Sequence, residues 1–129
     1  MKLAFKKTGG LIPAIIQDES TADVLMLGFM NEEALAETQR TREVVFYSRS
    51  RNRLWKKGES SGHVLRVRDV RVDCDADALL IRVEAAGPGV CHEGYRSCFF
   101  RRVEKDGASQ VIAERTFEPD QVYGPEKKR

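Results

Sequence analysis

The sequence is poor in several features that would classify it at once. No apolar run approaches the ~18 residues of a membrane span, and the basic start Met1-Lys2-Leu3-Ala4-Phe5-Lys6-Lys7 is followed by neither an apolar core nor a cleavage site. No signal peptide is read there, and a cytoplasmic protein without a membrane partner is expected. Cysteines number only three, spaced C-x16-C-x6-C. An odd count without a secretion signal argues against a disulfide framework and for free thiols or metal ligands. No Cys-x-x-Cys knuckle of a structural zinc site occurs. Net charge is only +2, which does not indicate a general polyanion binder. Neither a P-loop nor a G-x-G-x-x-G pattern is present, nor the H-x-E and P-C-x-x-C signature of nucleotide deaminases. Repeats and low-complexity tracts are absent.

What remains is a globular composition, 41% hydrophobic and 33% charged over 129 residues, enough for one domain with a core. Residues 1–129 are read as that single domain. Leu11 to Gln17 is apolar and β-branched, with Pro13 near its start. After a turn from Asp18 to Asp23, Val24 to Met30 reads as a buried strand, so the two form a hairpin. Asn31 is a favourable N-cap, and Glu32 and Glu33 suit the positive end of a short helix ending near Arg40 to Arg42. Val44 to Tyr47 is a third strand, followed by a long polar loop from Ser48 to His63. Between His63 and Val72 the apolar alternation changes phase, which predicts a bulge near Arg68-Asp69. Ala78 to Glu84 is another strand. Phe99 to Val103 and Ser109 to Ala113 flank a Lys105-Asp106-Gly107 turn. The expected class is α+β, mostly antiparallel strands with one clear helix.

The chemistry concentrates in three places. Arg71-Val72-Asp73-Cys74-Asp75-Ala76-Asp77 alternates carboxylates with other side chains. In an extended strand, Asp73, Asp75 and Asp77 would share one face and Cys74 the other. Three carboxylates on one face repel unless a hard cation such as Mg²⁺ neutralises them; a solvated strand end would also carry such residues. Cys74, Cys91 and Cys98 could hold a zinc with its fourth position open, or be three unrelated buried thiols. His92, beside Cys91, could complete a closed site or act as a general base. The polar loop supplies Ser48, Arg49, Arg51, Lys57, Ser60, Ser61 and Gly62, donors suited to phosphate, with Trp55 available to stack on a base or anchor the loop. A solvated basic loop is the plainer reading of the same residues. Together with a possible zinc site, the loop favours a phosphorylated small molecule.

Phe46-Tyr47-Ser48-Arg49-Ser50-Arg51, Leu54-Trp55-Lys56-Lys57-Gly58-Glu59-Ser60-Ser61-Gly62-His63, Asp73-Cys74-Asp75-Ala76-Asp77, Cys91-His92 and Ser97-Cys98-Phe99 follow one another in order. Together they resemble the phosphoribosyl-AMP cyclohydrolases of histidine biosynthesis. The likeness extends to Leu11-Ile12-Pro13-Ala14, to Met26–Leu35 and to Val122-Tyr123-Gly124, nearly the whole chain. Without a second catalytic domain, the monofunctional form is expected. The resemblance implies hydrolytic opening of the purine N1–C6 bond of phosphoribosyl-AMP, giving the phosphoribosylformimino-carboxamide ribotide. It also implies an intertwined homodimer, a zinc on Cys74, Cys91 and Cys98 shared between chains, and a magnesium on Asp73, Asp75 and Asp77. His92 would carry the proton, while Arg49, Arg51, Lys57 and the Ser60-Ser61-Gly62 turn would hold the two phosphates of the nucleotide substrate. Nucleic acid is not an expected partner. A rival reading is a zinc-stabilised module whose basic loop contacts RNA phosphates, with four closed ligands including His92. A nucleotide deaminase is a third, disfavoured by its missing signature.

Overall fold

The computed structural model describes residues 2–123, and every structural statement below concerns these. Eight strands and two helices run in the order β1 (Ile12–Asp18), β2 (Val24–Met30), α1 (Glu32–Thr41), β3 (Val45–Ser48), β4 (Arg53–Lys56), β5 (Leu65–Val72), β6 (Leu79–Ala85), β7 (Arg101–Val103), β8 (Ser109–Val111) and α2 (Pro119–Tyr123). The architecture is α+β. The main sheet has the order β2-β1-β6-β5. Its outer pairs are antiparallel hairpins, and the central pair β1–β6 is parallel. Two two-stranded ribbons, β3–β4 and β7–β8, complete the strands.

Alternation explains the core. Ile12, Ala14 and Ile16 of β1 and Leu79, Ile81 and Val83 of β6 are buried at every second position, as a sheet with one covered face requires. Phe46 closes this core from β3, its ring 5.2 Å from that of Trp55 on β4. Gly28 of β2 leaves room for it, because a Cβ there would stand 2.5 Å from the Phe46 ring.

Helix α1 starts where the N-cap signal predicts. The Asn31 side chain accepts a hydrogen bond from the Ala34 amide at 2.8 Å. The helix stops at Arg42, whose left-handed backbone (φ 59°) returns its amide to the Thr38 carbonyl at 2.9 Å. Thr38 is the one fully buried polar side chain of the core, and its hydroxyl is satisfied by the Ala34 carbonyl and the Val45 amide.

The expected bulge lies in β5, where pairing with β6 shifts register between Val67 and Asp69. Lys105-Asp106-Gly107 turns the β7–β8 ribbon, with Gly107 at φ +91°. Three elements depart from expectation. Strand β4 lies inside the segment read as loop, α2 is a second helix, and the aspartate stretch is not extended. Residues 73–78 form the turn joining β5 to β6, with Ala76 left-handed at φ 64°. Strand parity therefore does not arrange Asp73, Cys74, Asp75 and Asp77. The closing Gly124 and the basic Lys127-Lys128-Arg129 lie outside the described residues.

Candidate functional site

The turn gathers the aspartates by another route. Asp73 Oδ1 accepts the amides of Asp77 and Ala78 at 3.0 and 3.2 Å, and the Ala76 amide returns to the Asp73 carbonyl. Carboxylate oxygens of Asp73, Asp75 and Asp77 consequently lie within 4.8 Å of one another. A cation already meets them: Lys7 Nζ stands 3.1 Å from Asp75 Oδ2 and 2.9 Å from Asp77 Oδ2. The Lys7 ammonium holds Asp75 below the usual carboxylate range, and the two carboxylates raise Lys7 in return. Carboxylate oxygens converging in this way are the ligand type that a hard cation takes.

The thiols divide. Cys91 and Cys98 meet through their side chains, whereas the aspartate triplet is the only three-residue ligating group among the described residues. Cys74, exposed in the β5–β6 turn, does not join the other two cysteines within one chain. The proton shared between Cys91 and Cys98 separates them. Hydrogen bonding from Cys98, helped by the Glu93 amide at 3.5 Å and the neighbouring His92, lowers Cys91 to about 6. The Cys98 thiol, hydrogen-bonded to Cys91 and desolvated, is pushed far up. Neighbouring thiols of this kind both become thiolates when a metal displaces their protons.

The Cys91–Cys98 loop is tightly positioned. Val90 and Cys91 amides bond to the Arg96 and Tyr95 carbonyls at 3.1 Å, and Gly94 returns to Cys91. Arg96 clamps the loop to the β1–β2 turn through Asp18 at 2.8 Å and Asp23 at 2.7 Å. The Cys98 amide and Ser97 hydroxyl bond to β2 carbonyls. Tyr95 stacks on Phe100 with centroids 3.7 Å apart.

A cavity of about 350 Å³ adjoins this loop. Ser48, Arg51, Trp55, Lys57, Ser60, Ser61 and His92, all singled out by sequence, line it. Lys56, Gly58 and Glu59, which belong to the same loop motif, and Tyr123 of the closing Val122-Tyr123-Gly124 line it too. Arg49 instead faces a second groove with Phe29, its guanidinium 4.2 Å above that ring. Trp55 is the wall common to both. Gly62 lies outside the lining. Its amide is spent on the Gly58 carbonyl at 2.7 Å, so it shapes the loop instead of offering a free donor. Burial pushes the Lys57 ammonium down, partly offset by the charge of Cys98 and Cys91. Its Nζ donates to the Val90 carbonyl at 2.5 Å. One cavity thus gathers hydroxyl and guanidinium donors of the polar loop together with His92 of the Cys91–Cys98 loop.

The family model for phosphoribosyl-AMP cyclohydrolase matches residues 26–100. A phosphoribosyl-AMP cyclohydrolase of Solibacter usitatus is 54% identical over 124 residues, 96% of this chain and 98% of the relative. One from Desulforapulum autotrophicum is 51% identical over 123 residues, covering 95% and 98%. Another, from Methanosarcina barkeri, is 53% identical over 120 residues, covering 93% and 89%. The matched span runs from β2 through the Cys91–Cys98 loop and includes both thiols, the aspartate turn and all but Tyr123 of the cavity wall. The chain belongs to the phosphoribosyl-AMP cyclohydrolase family.

Proposed function

We propose that this chain opens the purine ring of phosphoribosyl-AMP at N1–C6 by hydrolysis, a step of histidine biosynthesis. The observation that carries the reading is the shared cavity, whose lining joins hydroxyl and guanidinium donors to His92, in a chain about half identical to named cyclohydrolases along nearly its whole length.

Ribosylation at N1 removes that nitrogen's lone pair and leaves C6 electron-poor. Water oxygen adds to C6, the N1–C6 bond breaks, and the departing N1 receives a proton. His92, which lines the cavity and follows Cys91 in the chain, would carry that proton. Arg51, Ser48, Ser60 and Ser61 of the same lining hold phosphate. Arg49 reaches a second phosphate from the adjoining groove, and Trp55 between them offers a flat face to a base.

Zinc fits the sulfur donors. Cys91 and Cys98 form a ready pair that lacks a third thiol in its own chain, and we place Cys74 of the partner subunit there. A homodimer then completes the centre. Four exposed apolar side chains on or beside the β7–β8 ribbon, Phe99, Val103, Val111 and Ile112, are candidates for burial in such an assembly. When bound, zinc supplies water activation near neutral pH. Magnesium fits the oxygen donors of Asp73, Asp75 and Asp77. No described helix is long and apolar enough to cross a membrane. Thiols needed in reduced form favour the cytoplasm.

The test is incubation of the purified protein with phosphoribosyl-AMP, following ring opening by absorbance with and without chelator. Turnover restored by zinc and magnesium is expected; none under those conditions would sink the reading. His92→Ala should keep its zinc while turnover falls by ~10²-fold or more. Unaltered turnover would remove His92 from the mechanism.

A further inference from the structure

Two side chains of the polar loop bond to consecutive carbonyls of the segment leading to Cys91. Lys57 Nζ donates to the Val90 carbonyl at 2.5 Å. His63 Nδ1 stands 3.1 Å from the Gly89 carbonyl. A carbonyl only accepts, so this nitrogen carries the proton. The imidazole is held from other sides as well. Its edge meets the Phe117 ring with centroids 4.9 Å apart. Gly87 lies against its face so closely that a Cβ there would stand 2.4 Å from the ring. Between the two anchors, residues 58–63 close on themselves. The Gly62 amide bonds to the Gly58 carbonyl, Gly58 (φ +89°) abuts the His63 backbone, and the His63 amide bonds to Ser61 Oγ.

We infer that Lys57 and His63 are positioning residues forming a two-point clasp, which fixes the Ser60–Ser61 wall of the cavity against Cys91 and His92. The inference rests on the function proposed above. Its physical basis is that the two walls come from segments some thirty residues apart. The pairing of β5 with β6 ends at the Ala86 amide on the Val64 carbonyl, and beyond it no strand pairing joins 58–63 to 87–91. Without the clasp, a nucleotide gripped by one wall would still bind, but its C6 would lie off the line to the other. Misplacement of about 1 Å costs on the order of 10²-fold in rate. The clasp thus bears on kcat more than on KM. It also gives Lys57 a different duty from phosphate binding, since its ammonium is turned to Val90 and the thiol loop. His63, which has no place in the chemistry itself, becomes the second anchor.

The experiment compares wild type, His63→Leu, His63→Asn, Lys57→Met and the Lys57→Met/His63→Leu double variant. For each, kcat and KM for phosphoribosyl-AMP, zinc content and thermal unfolding are measured. Leucine fills the space without a donor, whereas the asparagine amide keeps an N–H near the Nδ1 position. Expected are a kcat about 10-fold lower or worse in His63→Leu and Lys57→Met, KM within about threefold, and zinc retained. His63→Asn should recover most of kcat. The double variant should be little worse than the poorer single one, as for two parts acting as a unit. A folded His63→Leu with wild-type kcat would overturn the inference. So would His63→Asn impaired as deeply as His63→Leu, a loss confined to KM, or Lys57→Met protein that has lost its zinc. Should His63→Leu fail to fold, Lys57→Met decides by the same criteria, because its half-buried side chain can be shortened without opening the core. Active wild type with unaffected variants sinks the clasp alone. Inactive wild type sinks the function and the clasp together.

Discussion

Lys7 lies 2.9 Å from Asp77, and with Asp75 in reach on the same side its ammonium occupies the approach to the aspartate turn. A divalent cation binding Asp73, Asp75 and Asp77 must compete with it. Lys7→Met is therefore expected to raise magnesium affinity by about twofold to fivefold, the worth of an exposed ion pair. Asp77→Asn should lower that affinity. Calorimetric titration with Mg²⁺ reads both, and weaker binding in Lys7→Met would mean that the lysine supports the site instead of competing for it.

Sharing of the sulfur ligands has a direct test. Cys74→Ser and Cys91→Ser homodimers should each lose zinc and activity. Unfolded and refolded together, half the dimers are hybrids. If the third thiol comes across the interface, each hybrid has one intact centre, and activity returns to roughly a quarter of wild type, as random pairing of subunits dictates. No recovery from a mixture of folded dimers would argue that one chain supplies all three ligands.

Asp18 anchors the thiol loop through Arg96. Burial alone would raise its carboxyl. The Ser20 hydroxyl and amide, the Thr21 amide and the Arg96 charge outweigh this and hold it below its ordinary 3.8. A depressed folded value contributes stability that is fully present above the unfolded value and is lost as pH falls through the folded one. Asp18→Asn should thus cost about 1–2 kcal/mol at neutral pH. The gap should close as the wild type is acidified below 3.8. Urea midpoints across that range measure it; a gap independent of pH would exclude the ionised carboxylate as its source.

Gly28→Ala places a Cβ 2.5 Å from the fully buried Phe46 ring. Overpacking of this kind costs typically 1–3 kcal/mol. The variant should unfold at lower urea with an unchanged slope. Unchanged stability would mean that the ring has room to shift towards Trp55.

Much of the scaffold was legible because local chemistry and tertiary structure agree. Asn31 followed by acidic residues starts α1, and the phase change from Val67 to Val70 marks the β5 bulge. Strand β4 was not legible. Arg53 and Lys56 lack β-branched character, and the segment becomes a strand through its pairing with β3, where Trp55 lies opposite Phe46 and Leu54 opposite Tyr47. The parallel β1–β6 pair is likewise non-local, and nothing in either strand announces its neighbour.

The candidate site divides along the same line. Residue identity alone pointed to the groups proposed to carry the chemistry: three thiols, three carboxylates, His92 and the hydroxyl and arginine donors. Their order along the chain was enough to indicate the family. How they meet was decided by tertiary structure. The aspartates converge because a left-handed Ala76 turns the chain where alternation would have spread them along a strand. Arg49 faces a different groove from Arg51, although one residue separates them. Lys57, read by its charge as a phosphate ligand, is turned to Val90 by the loop that carries it. Side-chain type fixes what an atom can bind, and is local. Which atoms share a cavity depends on backbone turns and long-range pairings, whose energies are spread over residues far apart in the chain.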